Sequence, residues 1–340
     1  MLVSDHFLSY LCSLFENHIE SKNMHNFALI GAAGYIAPRH MQAIKDTGNQ
    51  IVALLDKSDS VGIIDRYFPE AALFTESERF DRHLYRLLKH GNGQQVDYVS
   101  ICSPNYLHDA HIRLALRNGA DAICEKPLVL NPWNLDGLRE IEKDTGQHIY
   151  HILQLRLHPS VQQLRQRILN GPKDKIYDID LTYITGRGKW YQYSWKADME
   201  KSGGITTNIG VHFFDMLTYI FGPVRELTVH HHSGTTAAGF LVLERARVRW
   251  FLSIDASYVP ASLRNEGKRT YRSILIDGET FDFTDGFTEL HTEAYKQILS
   301  GNGFTIDDAE SYVNLCHQVR NSTPVGRTGE YHPMLLQVTE

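Results

Sequence analysis

The sequence predicts an α/β protein: a doubly wound parallel sheet first, then an α+β unit built on a large, mostly antiparallel, open-faced sheet. Three observations predict it. From Asn26 onward, short apolar runs alternate with helical patterns, and strands that are apolar on both faces belong in a parallel sheet covered by helices on both sides. The first of these runs ends in a glycine turn that opens a helix. After about residue 150 strand-like runs dominate, and Asp277-Gly278 is a strong hairpin signal.

The elements follow in order. Phe27 to Ile30 is the first strand, and a helical pattern then runs through Ala43 and Ile44. Ile51 to Leu55 is a second strand ending at Asp56, with a weaker strand candidate at Ala72 to Phe74 and a helix from Phe80 to Leu88. Val96 to Cys102 and Ala120 to Cys124 are strands flanking a helix at His108 to Leu116. A helix from Leu135 to Glu142 leads to a strand at Ile149 to Leu153. Beyond it the pattern gives a helix at Ser160 to Leu169 and strands at Tyr177 to Ile184, Leu227 to His231, Gly239 to Leu243, Ala246 to Ile254 and Arg272 to Ile276. Two terminal helices, Thr288 to Leu299 and Asp307 to Val319, close the chain. The expected organisation is therefore an extension over residues 1–25, a dinucleotide-binding unit over 26–150 and a substrate-binding and oligomerisation unit over 151–340. In the extension, Phe7, Leu8, Leu11, Leu14, Phe15 and Ile19 recur at helical spacing. Two readings stay open: a docking helix, or a segment upstream of a true start at Met24.

Composition narrows the function. The 340 residues suffice for two cores, and 42% hydrophobic with 22% charged content is that of an ordinary globular protein. No apolar run approaches the ~18 residues of a membrane span, so no membrane partner is expected. A net charge of −6 argues against nucleic-acid binding, so an anionic ligand must be held by a local cluster of cations. Cys12, Cys102, Cys124 and Cys316 are scattered and form no CxxC pair, which points to a reduced, cytoplasmic protein without structural metal. The run His230-His231-His232 does not change this, because adjacent side chains on a strand point to opposite faces and cannot converge on one ion.

The motifs carry the chemistry. In Gly31-Ala32-Ala33-Gly34-Tyr35-Ile36-Ala37 the glycines allow a tight turn and close approach of a diphosphate. The helix N-terminus beyond presents free N–H groups and the positive end of its dipole. The spacing departs from the usual G-x-G-x-x-G/A by one position. Asp56, at the end of the second strand, is placed to accept hydrogen bonds from the adenosine ribose, and its charge repels a 2′-phosphate. NAD is the expected cofactor.

The third strand runs into Ser103-Pro-Asn105-Tyr-Leu-His108, and the next into Cys124-Glu125-Lys126-Pro127-Leu128. A Rossmann-type start followed by Glu-Lys-Pro at a strand end resembles the Gfo/Idh/MocA family of oxidoreductases. By that resemblance Lys126 is an active-site residue and His212, in the stretch Gly203 to Asp215, is its partner from the second half. Ser103, Asn105, His108 and Glu125 would line the cofactor. Many members carry Asp four residues before the histidine; here it is Asn208, which can orient an imidazole but not raise its basicity. The stretches around Gly31, Ser103, Lys126, Thr182 to Lys196 and His212 are similar, within the family, to the UDP-N-acetylglucosaminuronate 3-dehydrogenases of bacterial O-antigen synthesis. The resemblance runs from about Asn26 to the C-terminus. It implies a UDP-sugar substrate, 2-oxoglutarate as a possible oxidant, and a homo-oligomer, dimer or tetramer.

Residue chemistry fits that implication. Alcohol oxidation needs a base for the hydroxyl proton and a donor for the developing alkoxide. His212, with an ordinary pKa near ~6.5, suits the first; Lys126, at the carboxyl end of a parallel strand, suits the second, and its pKa should fall beside the cationic nicotinamide ring. Thr182 to Lys196 interleaves Arg187, Lys189 and Lys196 with Trp190, Tyr191, Tyr193 and Trp195: donors for a carboxylate and a diphosphate, rings for sugar or uracil. Lys268 to Ser273 is a second cationic patch, and Gln154, Arg156 and Asn208 are further substrate-facing candidates. Two rival functions remain at this level, an NAD-dependent glycosidase and a non-catalytic NAD-sensing regulator.

Overall fold

The computed structural model describes residues 24–91, 93–283 and 289–338; the segment read as an N-terminal amphipathic helix lies outside them. Six parallel strands form the first sheet: β1 (Asn26–Ile30), β2 (Gln50–Leu55), β3 (Ala72–Phe74), β4 (Tyr98–Ile101), β5 (Asp121–Cys124) and β6 (Ile149–His151). Their order is β3-β2-β1-β4-β5-β6. Helices α1 (Ala37–Asp46), α2 (Ser77–His90), α3 (His108–Arg117) and α4 (Pro132–Thr145) alternate with them. All five residues of β1 are buried, which is why its sequence shows no polar alternation. Strand order reverses between β1 and β4, opening a crevice at their carboxyl ends.

The second sheet follows α5 (Pro159–Asn170). It contains β7 (Tyr177–Thr185), then, after α6 (Val211–Phe221), β8 (Val224–His232), β9 (Thr236–Leu243), β10 (Ala246–Ser253), β11 (Thr270–Ile276) and β12 (Glu279–Thr280). The order is β12-β11-β7-β10-β9-β8. The expected antiparallel sheet is present with one departure: β7 and β10 run parallel, from Tyr177 opposite Ala246 to Ile184 opposite Ser253. The long excursion through α6, β8 and β9 supplies the crossover that parallel neighbours need. On one face Phe214 of α6 meets Trp250 of β10 edge-on. On the other, Leu335 and Val338 pack over Ile184, Ala238 and Phe251, so the C-terminal segment covers part of that face.

The last two helices tie the halves together. α7 (Leu290–Leu299) lies on α1, and α8 (Ile306–Asn321) lies on α6 and α4. The main hydrophobic core accordingly joins residues of both sheets, from Ala28 to Val319. Among the described residues no helix is long and apolar enough to cross a membrane.

Candidate active site

The cofactor end of the crevice is built by the turn after β1. Gly31 has φ +91°, and a Cβ there would lie 2.7 Å from the Cys102 carbonyl carbon and oxygen, so only glycine fits. Asp56 braces the turn: its Oδ2 accepts from the Ala33 N–H at 2.8 Å and its Oδ1 from the Ser58 N–H at 2.9 Å. Gly34 closes the turn by donating to the Gly31 carbonyl at 2.9 Å. Tyr35 is 92% exposed, Ile36 caps α1 and Ala37 is its first buried residue. A glycine cradle held open by a carboxylate, ahead of a helix N-terminus, fits a dinucleotide. Across the crevice Ser103 Oγ is 2.8 Å from His111 Nδ1, and the Asn105 amide donates to the Ser202 carbonyl at 3.0 Å.

Lys126 and His212 come together from the two halves. Lys126 follows β5, its peptide bond to Pro127 is cis, and its Nζ donates to the Asn208 carbonyl at 3.4 Å. Asn208 lies in a π-helical turn, Thr206–Gly210, that runs directly into α6 with His212 as its second residue. Such widened turns recur at functional sites. The Asn208 side chain does not reach the imidazole. It donates to the Tyr191 hydroxyl at 3.0 Å. Burial holds the Lys126 amine below its ordinary value; Glu125 offsets this and Arg187 adds to it. Burial and then Lys126 hold His212 well below its ordinary value, so the ring is neutral and can accept a proton.

A second lysine joins them. Lys196, stacked over Trp195 at 4.4 Å, is pushed down by burial and by its neighbours Lys126 and Arg187. Arg187 and Lys189 are exposed and Trp190 is 54% exposed, at the rim. The second cationic patch is mostly engaged: Arg269 donates to the Arg187 carbonyl at 3.4 Å, Lys268 pairs with Glu266, and Arg272 lies over Phe283. Gln154 Oε1 is buried without a hydrogen-bond partner among the described residues.

Three expected ligand contacts need correction. Arg156 does not face the crevice. Its guanidinium is buried and gives hydrogen bonds of 2.7 Å to Asp215 and 2.6 Å to Asp308, because a cation this deep needs counter-charges of its own. His108 is fully buried: Nδ1 lies 2.7 Å from the Pro127 carbonyl and Nε2 2.9 Å from the Ser103 carbonyl, so it ties the two cofactor-side loops together rather than lining them. Glu125 is buried too, with its carboxylate turned to His40 and His291.

The chain matches the NAD-binding Rossmann-fold model of the Gfo/Idh/MocA oxidoreductase family over residues 25–152 and that family's C-terminal α/β domain model over residues 165–259. The chain belongs to the Gfo/Idh/MocA family. Within it, a crystal structure of the WlbA (WbpB) dehydrogenase from Thermus thermophilus, in complex with NAD and α-ketoglutarate, is similar at 51% identity and TM-score 0.87, covering 91% of this chain and 99% of that one. A structure of the same WlbA with NAD and UDP-GlcNAcA gives 50% identity, TM-score 0.87 and the same coverage. Among curated family relatives, D-glucoside 3-dehydrogenase of Escherichia coli K12 is 30% identical over 139 residues, 40% of this chain and 39% of that protein. That match therefore spans well under half of the relative's length.

Proposed function

We propose that the chain oxidises the C3 hydroxyl of UDP-N-acetylglucosaminuronic acid to the 3-keto sugar with NAD, as a step of nucleotide-sugar and O-antigen synthesis. The observation that carries this reading is the convergence of Lys126, Arg187 and Lys196 beside the neutral His212 ring. In a chain of net charge −6, three cations gathered beside the one carboxylate of Glu125 leave positive charge that suits a carboxylate or diphosphate. The WlbA structure holding NAD and UDP-GlcNAcA supports the same substrate.

In this reading His212 takes the hydroxyl proton, and Lys126 hydrogen-bonds the same oxygen as its charge develops. Bound NAD supplies the acceptor for the hydride leaving the carbinol carbon. Gly31, Gly34, Tyr35, Ile36, Ala37, Asp56 and the loop of Ser103 and Asn105 hold the cofactor. Arg187, Lys189, Lys196 and Gln154 take the polar groups of the sugar nucleotide, and the Trp190 ring offers a stacking face. The same cations suit a dicarboxylate, so 2-oxoglutarate is the proposed oxidant that regenerates NAD; the WlbA structure with α-ketoglutarate supports this. Assembly as a dimer or tetramer is read from the open sheet face and is checked by sedimentation.

The test is absorbance at the NADH band when purified protein meets UDP-N-acetylglucosaminuronic acid, followed by 2-oxoglutarate. The expected result is a rise, then its discharge with formation of 2-hydroxyglutarate. Cleavage of a nitrophenyl glycoside without net NADH would make the chain a glycosidase. No signal with any UDP-sugar or oxidant, despite NAD binding, would make it a regulator.

A further inference from the structure

Glu125 sits at the centre of a buried network. Its Oε1 accepts from His40 Nε2 at 3.0 Å and from His291 Nε2 at 3.1 Å, and its Oε2 accepts from the Lys126 backbone N–H at 3.2 Å. His40 comes from α1, the helix that starts at the cofactor turn, and His291 from α7. Behind His40 the Tyr295 hydroxyl lies 2.8 Å from Nδ1 and 2.6 Å from Ser100 Oγ. One arrangement of protons satisfies every group. The His40 Nε2 must carry hydrogen to meet a carboxylate, so its Nδ1 accepts from Tyr295, and Tyr295 accepts from Ser100. Each donor in the chain therefore points toward Glu125. Burial alone would push the Glu125 carboxyl up, but the hydrogen bonds from His291 and His40 hold it well below the usual carboxylate range.

Glu125 also stands alone in sign. The charged groups felt by Lys126 are Glu125 and the cationic Arg187, with the cationic Lys196 beside it. Those felt by His212 are Lys126, Glu125 and His291. Nearer to Glu125, the thiols of Cys102 and Cys124 and the Tyr295 phenol are pushed up by burial and stay neutral. Burial lowers the rings of His40, His108 and His151, and an imidazole carries no negative charge in either protonation state. Among the described residues, then, one negative charge faces the two reacting groups.

We propose that His40 and His291 are positioning residues that clamp Glu125 in its ionised form, and that this fixed charge sets the pH at which Lys126 and His212 change protonation. The proposal rests on the catalytic reading above and adds to it a device reaching from the cofactor helix to α7. The same three side chains lie close enough to hold a metal ion. Three ligands, however, fall short of a closed structural zinc site, and the proton arrangement is complete without an ion.

The sign of the effect does not depend on which group is acid and which is base. Glu125 raises the pKa of both Lys126 and His212, so its loss lowers both. The direct readout is competitive acylation of the Lys126 amine as a function of pH, followed by mass spectrometry on the NAD-loaded protein. It needs no turnover, so it is separate from failure of the proposed reaction, which wild-type turnover of the UDP-sugar decides. Glu125→Gln should move the Lys126 midpoint down by roughly one pH unit or more. His291→Leu should move it the same way, because an unclamped buried carboxyl takes up a proton, and His291→Gln, which keeps a donor, should restore it. Both limbs of the kcat–pH profile should follow. If Glu125→Gln does not fold, the pair His291→Leu and His291→Gln decides alone. An unchanged midpoint in folded variants would reduce the network to packing. One equivalent of bound metal in purified wild-type protein would overturn the proposal.

Discussion

Replacing Arg156 with methionine tests the largest correction the structure makes to the sequence reading. Arg156 is 7% and Asp215 2% exposed, and the guanidinium gives Asp215 hydrogen bonds from Nε at 3.1 Å and from Nη2 at 2.7 Å. Methionine keeps much of the volume and removes the charge, leaving Asp215 buried without its partner. Breaking a buried pair from one side costs about 3–5 kcal/mol. Asp308 adds little, since it is one-third exposed and still accepts from the Thr305 N–H at 2.9 Å. At ~2–4 °C per kcal/mol the melting temperature should fall by roughly 6–20 °C. Burial already pushes Asp215 up to about 6 with Arg156 beside it. Its folded value therefore lies above its unfolded one, and the loss should shrink as pH falls through that value, because a protonated Asp215 needs no counter-ion. Adding Asp215→Leu should recover most of the stability, as an apolar pair replaces an ionic one. The assay is thermal unfolding by circular dichroism without NAD, together with titration of the UDP-sugar. Should the single variant melt within a degree or two of the parent and lose only sugar affinity, Arg156 would be a substrate ligand and the structural role wrong.

Lys126→Ala and His212→Ala should each bind NAD as the parent does and lose about 10²–10⁴-fold in turnover, read by stopped-flow absorbance. Gly31→Ala places a methyl 2.7 Å from the Cys102 carbonyl at a positive φ. That strain of ~1–2 kcal/mol or more should weaken NAD roughly tenfold in calorimetric titration. Lys196→Ala removes one charge-assisted contact worth ~1.5–3 kcal/mol, so KM for the UDP-uronic acid should rise about 10- to 150-fold with little change for a UDP-sugar that lacks the carboxylate. Anionic substrate should raise the depressed Lys126 pKa, so the limb it governs should lie at higher pH in kcat than in kcat/KM.

Most of the fold was legible because its signals are local. The apolar runs at Phe27–Ile30 and Ala120–Cys124 can hardly be anything but buried parallel strands, and each helix that follows shows its own period. The parallel pairing of β7 and β10 was not legible, since periodicity reports the faces of a strand and not the direction of its neighbour. At the site, the residues proposed from motifs are those where one segment carries the chemistry: the glycine turn, Asp56, Lys126, His212. Errors arose where a polar side chain was given to the ligand because of its type alone. Arg156 and His108 turn inward to Asp215 and to two carbonyls, partners that only the tertiary fold supplies. His40 and His291 were missed, and Tyr191 was read as a ring for the ligand and not as the partner of Asn208, for the same reason. His40 and His291 reach Glu125 from positions 85 and 166 residues away, and no spacing rule joins them.

These misses share one physical cause, which also explains the electrostatics of the site. A cleft built to receive a highly charged anion gathers cations, and each must be kept from spending its charge on the protein. Lys126 is depressed by burial and by Arg187, and Lys196 by burial, Lys126 and Arg187, so repulsion persists until a ligand arrives. Deeper in, where no ligand reaches, the opposite rule holds: Arg156 is paired with Asp215 and Asp308, and Glu125 keeps its charge with three N–H donors on its oxygens. Among the described residues, cations left without an ion-pair partner in the cleft, and cations paired with carboxylates in the core, are what separates binding cations from structural ones. That division rests on burial and partnership rather than residue type, so it becomes visible once the chain is folded.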